Sequence, residues 1–543
     1  MTSTLFFSFI GSLVISMALI PPLMATASRL HILDLPEARK SHQIPVARVG
    51  GIAFAIGTFI ALLVWAPKDD LVVASLIGGL IILLFGVWDD RSGLNYHMKF
   101  AGQAIASITV ILIGDVHLTS LPLLESPLSP WLSTPLTLLI LLGVTNAVNL
   151  ADGLDGLAGG LSLLSFAAMG YLAYLATDTS ALILITSVLG GLLGFLRFNT
   201  YPARVFMGDG GSQFLGFNLA VIALALTDST RGPFSPPLAL FLLGLPILDT
   251  IGVMSQRIME GRSPFVADRN HVHHKLLSIG LSHYEAVLTI YVIQAGMVGG
   301  ACLLRWSTDA MVIGIYLVVA STILAVFVKP DRFGVAHLRP AVSRWLKLAR
   351  LDEFTTSRWI ASMPIRLLAG LIPSLLIASI ALPLHVPGDM GIASLLLFAV
   401  VLTGLLLAPR WAPLLVRAGL YVGATFLLFL SSQAIETMGW GWKYSFNGLF
   451  IFLGLLVVVT IRFNDVHRFQ TTPLDYLMIF VALAIPMLPE IRIGQTELSL
   501  LVGKLLVLFF SFELLLHAFF RRVGQLGLVS LWILFGIGVR SWF

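Results

Sequence analysis

Apolar runs of spanning length recur along almost the whole chain, separated by short connectors in which the polar residues gather. Runs of about 18–20 residues with few charges match the hydrocarbon thickness of a bilayer. The pattern predicts an all-α, polytopic transmembrane helical protein of about 18 spans. In a first block the runs fall near 5–25, 50–66, 71–88, 99–114, 134–150, 157–175, 180–196, 211–227, 237–255, 286–304 and 310–328. A basic stretch over 329–366 follows, amphipathic around Val342 to Leu351 and suited to lying on the inner membrane surface. About seven further runs occupy 367–543. The expected organisation is therefore a membrane domain over 1–328, a basic cytoplasmic connector over 329–366 and a second multi-span domain over 367–543, with no repeat linking the two blocks.

Composition narrows the class. The chain is 57% hydrophobic and 11% charged, with a mean hydropathy of +0.94, which excludes a soluble globular protein. The net charge of +5 does not indicate nucleic-acid binding, because the basic residues are distributed by membrane side and form no single patch. With the N-terminus outside and the runs alternating, most of the 33 Lys and Arg fall on the inner side. Ala25-Thr26-Ala27 resembles a signal-peptidase site, yet no Lys or Arg precedes the first run while Arg29, Arg39 and Lys40 follow it. That run is expected to be a retained first span. Cys302 is the single cysteine, so neither an internal disulfide nor a thiolate metal cluster is expected.

In the first block the polar clusters follow the first, third, fifth, seventh and ninth runs, so alternate crossings deliver five loops to one face. An ion-coupled transporter would instead place acids and broken helices near mid-membrane. A membrane interaction scaffold, the other competing class, would not need the acids at all. Asn146, Asn149 and Asp152 lie along one helical face as the fifth run ends, with Asp155 beside them among Gly153 and Gly156. Carboxylates beside hydrocarbon are costly and mark a functional site. Asp89 and Asp90 close the third run, and paired acids can hold a hard cation or accept a proton.

Asn199 and the stretch Phe206-Met207-Gly208-Asp209-Gly210-Gly211-Ser212 add an acid in a glycine-rich turn before another run. Backbone N–H groups there would favour an anion, and Asp209 would complete a Mg²⁺ shell. Lys40, His42 and Arg48, followed by Gly50-Gly51, offer cations and close backbone approach to a phosphate. Asp249 lies in the ninth run, and the loop beyond carries Asp268, Arg269, His271, His273, His274 and Lys275. Without cysteine or an i, i+4 histidine pair this loop fits anion recognition better than zinc. Carboxylates for Mg²⁺, cations for phosphates and adjacent lipid together describe phosphoryl transfer to a lipid-borne acceptor.

The motifs Asp34 to His42, Asp89-Asp90, Asn146 to Leu157, Phe206 to Ser212 and His271 to His274, in that order, resemble those of the polyprenyl-phosphate N-acetylhexosamine-1-phosphate transferases. This bacterial family also contains the phospho-MurNAc-pentapeptide translocases. The resemblance covers residues 1 to about 328 and implies transfer of a sugar 1-phosphate from a UDP-sugar to undecaprenyl phosphate with release of UMP, which would initiate a lipid-linked cell-envelope glycan. It further implies a Mg²⁺ requirement, with Mn²⁺ as the alternative. By the same resemblance Asp209 is the metal ligand, with Asp89 or Asp90 as a further ligand, and one of that pair is the base or nucleophile. Asn149, Asp152, Asp155 and Phe206 would line the nucleotide site and the histidines would hold the diphosphate. The HxHH form favours UDP-GlcNAc as donor, although other UDP-N-acetylhexosamines suit the same chemistry. A bacterial cytoplasmic membrane location, an active site on the cytoplasmic face, a homodimer and downstream glycan-assembly partners complete these expectations. Ala47 departs from the family's usual proline, and the block after Lys329 has no counterpart in the family's usual length.

The charge bias predicts that a reporter fused before Met1 is active only on the outer face; a cytoplasmic signal would invert the topology.

Overall fold

The computed structural model describes residues 2–34, 45–123, 126–228, 232–263, 270–328, 358–383, 385–407, 412–463, 492–493, 496–518 and 523–542. The chain divides into two compact units, the first holding the described residues up to Val328 and the second those from Arg358 onward. The expected 329–366 connector lies largely outside the described residues.

The first unit is built from α1 (Thr2–Thr26), α2 (Gly50–Trp65), α3 (Asp70–Ser92), α4 (Tyr96–Ile113), α5 (Pro130–Ala151), α6 (Leu157–Leu175), α7 (Thr179–Asn199), α8 (Gly208–Thr227), α9 (Leu238–Met259), α10 (Val272–Ser278), α11 (His283–Leu303) and α12 (Asp309–Val328). The second contains α13 (Arg358–Ser379), α14 (Gly388–Leu407), α15 (Ala412–Thr437), α16 (Trp440–Phe463), α17 (Leu498–Ala518) and α18 (Val523–Arg540). Among the described residues, 13 helices are long and apolar enough to cross a membrane, and three shorter apolar helices accompany them. Part of the expected second block, residues 464–491, lies outside the described residues. The protein is an all-α, multi-pass membrane protein.

Helix α8 is the core of the first unit, every residue from Gly210 to Thr227 being buried. Beyond its first turns it is almost wholly apolar, as suits a helix enclosed by other helices, and it packs against α2, α3, α5, α6 and α9. Small residues permit that enclosure. A β-carbon on Gly216 would lie 2.8 Å from the Thr145 Cα in α5, and one on Gly86 would lie 2.3 Å from the Gly210 Cα. The α1–α7 contact uses the same device, with Gly190 against the Phe9 carbonyl.

Helix α9 is broken at Gly244, where φ is +54° and ψ is −132°, two residues before Pro246. The break frees backbone groups in an apolar setting, and α11 supplies their partner: the Leu245 N–H donates to Gln294 Oε1 at 2.8 Å. Gln294 Nε2 in turn donates to Ser165 Oγ at 2.9 Å. A broken helix was expected of a transporter. Here it redirects the second half of α9, which carries Asp249.

The only strands among the described residues of the first unit are two-residue pieces, β1 (Leu33–Asp34) and β2 (Val46–Ala47), paired antiparallel with Leu33 opposite Ala47. Ala47 also bridges Val205 in parallel. In the second unit α15 is largely buried, and its Arg417 and Tyr421 both meet Glu513 of α17, with Arg417 Nε 3.3 Å from Glu513 Oε1.

Replacing Gly216 with Val should lower the detergent-solubilised unfolding midpoint by the cost of overpacking, about 1–3 kcal/mol. Gly143→Val is the control on α5, because a β-carbon there meets no atom within 4 Å. Equal midpoints for the two variants would refute the close α5–α8 contact.

Candidate active site

The acids converge because α3 ends where α8 begins. Helix α8 starts with four backbone N–H groups that have no partner within the helix, and two of them are met by one carboxylate. The Asp209 N–H donates to Asp90 Oδ1 at 2.9 Å and the Gly210 N–H donates to Asp90 Oδ2 at 3.0 Å. Asp90 is almost enclosed, with 2% of its side chain exposed, and Arg48 Nη1 lies 3.9 Å from Oδ1. Gly208, at φ +71°, is required at this approach, since a β-carbon there would strike the Asp90 carboxylate. The anion favoured at this helix start is therefore the protein's own.

Asp89 points elsewhere. Its Oδ1 accepts from the Leu94 N–H at 2.7 Å, and its Oδ2 pairs with Lys99 of α4. The same ammonium donates to Asp209 Oδ2 at 3.2 Å. Asp89 is 3% exposed and Asp209 is 35% exposed in their side chains. Two carboxylates thus converge on one cation, one inside and one facing out. That donor set fits a hard divalent ion, which is commonly held by one or two carboxylates and completed by substrate phosphate. Lys99 carries no sequence motif. A lysine in the first turn of a helix, against the helix dipole, was the available signal.

Beyond the acids, a second layer ties the α5–α6 turn to the loop before α8. Asp155 Oδ2 accepts from the Ala203 N–H at 2.9 Å. Asn199 Oδ1 accepts from the Gly156 N–H at 3.0 Å while its Nδ2 donates to the Val205 carbonyl at 2.9 Å. Tyr291 of α11 donates to the Gly156 carbonyl at 2.7 Å. Asn149 accepts from Ser212 Oγ at 2.5 Å, joining α5 to α8. Burial raises Asp152 to about 7, and the charges of Asp209, Asp155 and Asp90 push in the same direction.

The expected cradle at Gly50-Gly51 is corrected. The Gly50 N–H donates to the Phe206 carbonyl at 2.9 Å and the Gly51 N–H to the Met207 carbonyl at 3.0 Å, so neither is available to a phosphate. The Phe206 N–H donates to the Ala47 carbonyl at 2.8 Å, completing a staple between the first loop and the α8 turn. The glycines serve packing: a β-carbon on Gly51 would lie 2.4 Å from the Gly211 Cα. The anion expected at the backbone N–H groups of this helix start is likewise corrected for Asp209 and Gly210, whose N–H groups Asp90 takes. Asn146 stands in an interhelical amide network, its Nδ2 donating to Gln103 Oε1 at 2.7 Å, with Gln103 Nε2 donating to Gln213 Oε1 at 2.9 Å. Arg48 is anchored by Asp34 across the β1–β2 pair. Lys40, His42 and Arg269 lie outside the described residues.

The histidines divide by role. Asp249 caps the seven-residue α10, accepting from the Val272 N–H at 3.0 Å, and its other oxygen lies 2.8 Å from His271 Nδ1. This fixes the His271 ring and leaves Nε2 for a ligand. His273 lies over Gly153, where a β-carbon would be 2.3 Å from its Nε2, and it is 4% exposed. Burial, with His274 and His271 adding to it, pushes His273 down to about 3. It is neutral at physiological pH, and it is buried where its neighbour His274 is not. His274 is partly exposed and its ring centroid is 4.2 Å from that of His273.

The Glycosyl transferase family 4 model matches residues 72–227, from α3 through α8. A probable undecaprenyl-phosphate N-acetylglucosaminyl 1-phosphate transferase of Bacillus subtilis (strain 168) is 35% identical over 289 residues, covering 53% of this chain and 81% of the relative. The chain belongs to this transferase family. An undecaprenyl-phosphate alpha-N-acetylglucosaminyl 1-phosphate transferase of Escherichia coli (strain K12) is 32% identical over 280 residues, covering 50% of this chain and 75% of the relative. The protein of the same description in Haemophilus influenzae is 31% identical over 300 residues, covering 54% and 83%. The family match contains Asp89, Asp90, Lys99, Asn149, Asp152, Asp155 and Asp209.

His273 gives a pH signature. Its folded pKa lies below the ordinary 6.5, so its contribution to stability is complete above that value and is lost as pH falls from about 6.5 toward 3. The wild-type stability should fall by up to about 1.4 kcal/mol per pH unit in that window from this group. His273→Gln should flatten the slope by up to that amount, and an unchanged slope would mean that His273 is not buried as a neutral ring.

Proposed function

We propose that this protein transfers a sugar 1-phosphate from a UDP-sugar to undecaprenyl phosphate, releasing UMP, with GlcNAc-1-phosphate as the transferred group. The observation that carries this reading is the Asp89–Lys99–Asp209 cluster, held at the start of α8 by Asp90 and placed at the end of lipid-exposed helices. The descriptions of the relatives supply the acceptor and the N-acetylglucosaminyl group.

In the reaction an oxygen of the acceptor phosphate forms a bond to the phosphorus bearing the sugar, and the bond from that phosphorus to the bridging oxygen breaks, sending UMP away with the electron pair. The acceptor phosphate is already an anion and requires no base of its own. Asp90 is committed to two backbone N–H groups, so its role is to orient Asp209. Asp209 and Asp89 would hold Mg²⁺, or Mn²⁺ in its place, which supplies charge neutralisation at the donor diphosphate. Lys99 places a positive charge between the two acids and can pass it to a phosphate oxygen. His271, oriented by Asp249, offers Nε2 to the diphosphate. Asp152 and Asp155 border the same face and suit the nucleotide. The positive-inside bias supports a cytoplasmic active site in a bacterial inner membrane.

The test is UMP release by the purified chain with undecaprenyl phosphate, Mg²⁺ and a panel of UDP-sugars. Turnover should require the metal and be fastest with UDP-GlcNAc. Asp209→Asn and Lys99→Met should each lower kcat by about 100-fold or more without loss of the folded protein. Full activity in either variant would remove that residue from the site, and absence of turnover with every sugar would reject the reading.

A further inference from the structure

Helix α8 runs about 30 Å from the acids to a different site at its far end. There, the loops before α9 and between α11 and α12 line an open cavity of about 510 Å³, within the range that accommodates a small ligand or a headgroup. Arg305 lines it, together with Ser120, Ser235, Ser307, Trp306 and Asp309. The carboxylate of Asp309 is turned into the wall: one oxygen accepts from Ser235 Oγ and the other from the Leu123 N–H at 3.3 Å. Arg305 is less fully matched. One of its terminal nitrogens donates to the Cys302 carbonyl and its guanidinium lies 5.7 Å from the centre of the Tyr171 ring, but its buried Nε–H has no hydrogen-bond partner among the described residues. The buried Tyr171 hydroxyl is also without one. A buried donor left unmet is costly, most of all on a cation.

The surroundings point to a lipid. Trp306 is 60% exposed, its ring tilted against the buried Phe234 at a centroid distance of 5.4 Å, while Leu303 and Met311, on the spanning helices beside it, are 81% and 53% exposed. An exposed tryptophan at the ends of spanning helices sits at headgroup level, with the apolar side chains facing the acyl region. We propose that this cavity binds the phosphate of a membrane phospholipid headgroup, with Arg305 as its anchor. The guanidinium lines the cavity as a fixed cation, and its second terminal nitrogen offers phosphate oxygens charge-assisted hydrogen bonds. Ser307 and the Trp306 rim are placed for the polar remainder of the headgroup, and the acyl chains run along α11 and α12.

The full chain, purified in detergent and stripped of lipid, is titrated with phosphatidylglycerol, with diacylglycerol of the same chains, and with inorganic phosphate, and bound lipid is counted by native mass spectrometry. Phosphatidylglycerol should bind saturably and diacylglycerol should not. Arg305→Ala should weaken binding by about tenfold or more, and Arg305→Lys, which keeps the charge, by less. Ser307→Trp fills the cavity while retaining Arg305, and should abolish binding even where Arg305→Ala proves unstable. Equal binding of diacylglycerol, or binding unchanged in Ser307→Trp, overturns the site. Inorganic phosphate that displaces the lipid at micromolar concentration would make the ligand a soluble anion and overturn the lipid assignment.

Discussion

The structure of the first unit depends on one buried carboxylate satisfying the start of one buried helix. Helix α8 is enclosed on all sides, so its first N–H groups have little water to turn to, and an unmet backbone donor there would cost as much as a lost hydrogen bond. Asp90 meets two of them at once. The helix dipole and nearby Arg48 offset part of the cost of burying its charge, and the interaction fixes where α3 ends relative to α8. Everything at the active face inherits that register: Asp89 is turned toward Lys99, and Asp209 stands one residue into α8 facing the same ammonium.

Close helix approach is the second requirement, and it is met by removing side chains. Gly51 against Gly211 and Gly86 against Gly210 bring α2 and α3 onto the first turn of α8 at distances no β-carbon allows. The pairing of Ala47 with Phe206 then closes the first loop over the turn. A glycine-rich stretch beside acids invites interpretation as a phosphate cradle. In this protein much of that glycine content is spent on backbone contact between helices, and the cations and acids around it carry the charge. The charged cluster stays available because packing around it uses almost no side-chain volume.

The two ends of α8 present a contrast. At one, acids and a lysine gather with their hydrogen-bonding capacity largely directed at one another and at the backbone. At the other, an arginine keeps an unmet donor beside a cavity flanked by lipid-facing side chains. The broken α9 shows how such polar detail is tolerated among apolar helices: Gln294 meets the N–H that the break at Gly244 releases, and the redirected segment delivers Asp249 to His271. In the second unit the same logic appears at Glu513, which is met by both Arg417 and Tyr421.

Sequence alone determined the class of the fold, the positions of the first unit's spans and the membership of the acid cluster. Hydropathy over about 20 residues is a local property set by bilayer thickness, and paired acids beside glycines are conspicuous in so apolar a chain. It could not separate Asp89 from Asp90, adjacent residues of identical chemistry. Only the approach of α8 decided that one caps a helix and the other faces a cation. Nor could it find Lys99, whose partners are 10 and 110 residues away, or tell His273, buried over Gly153, from His271, held by Asp249. Asn146 looked like part of the polar stripe, yet Gln103 on α4 claims it. Side-chain partners across helices depend on which faces pack together, and that choice is made by the volumes of residues far apart in the chain.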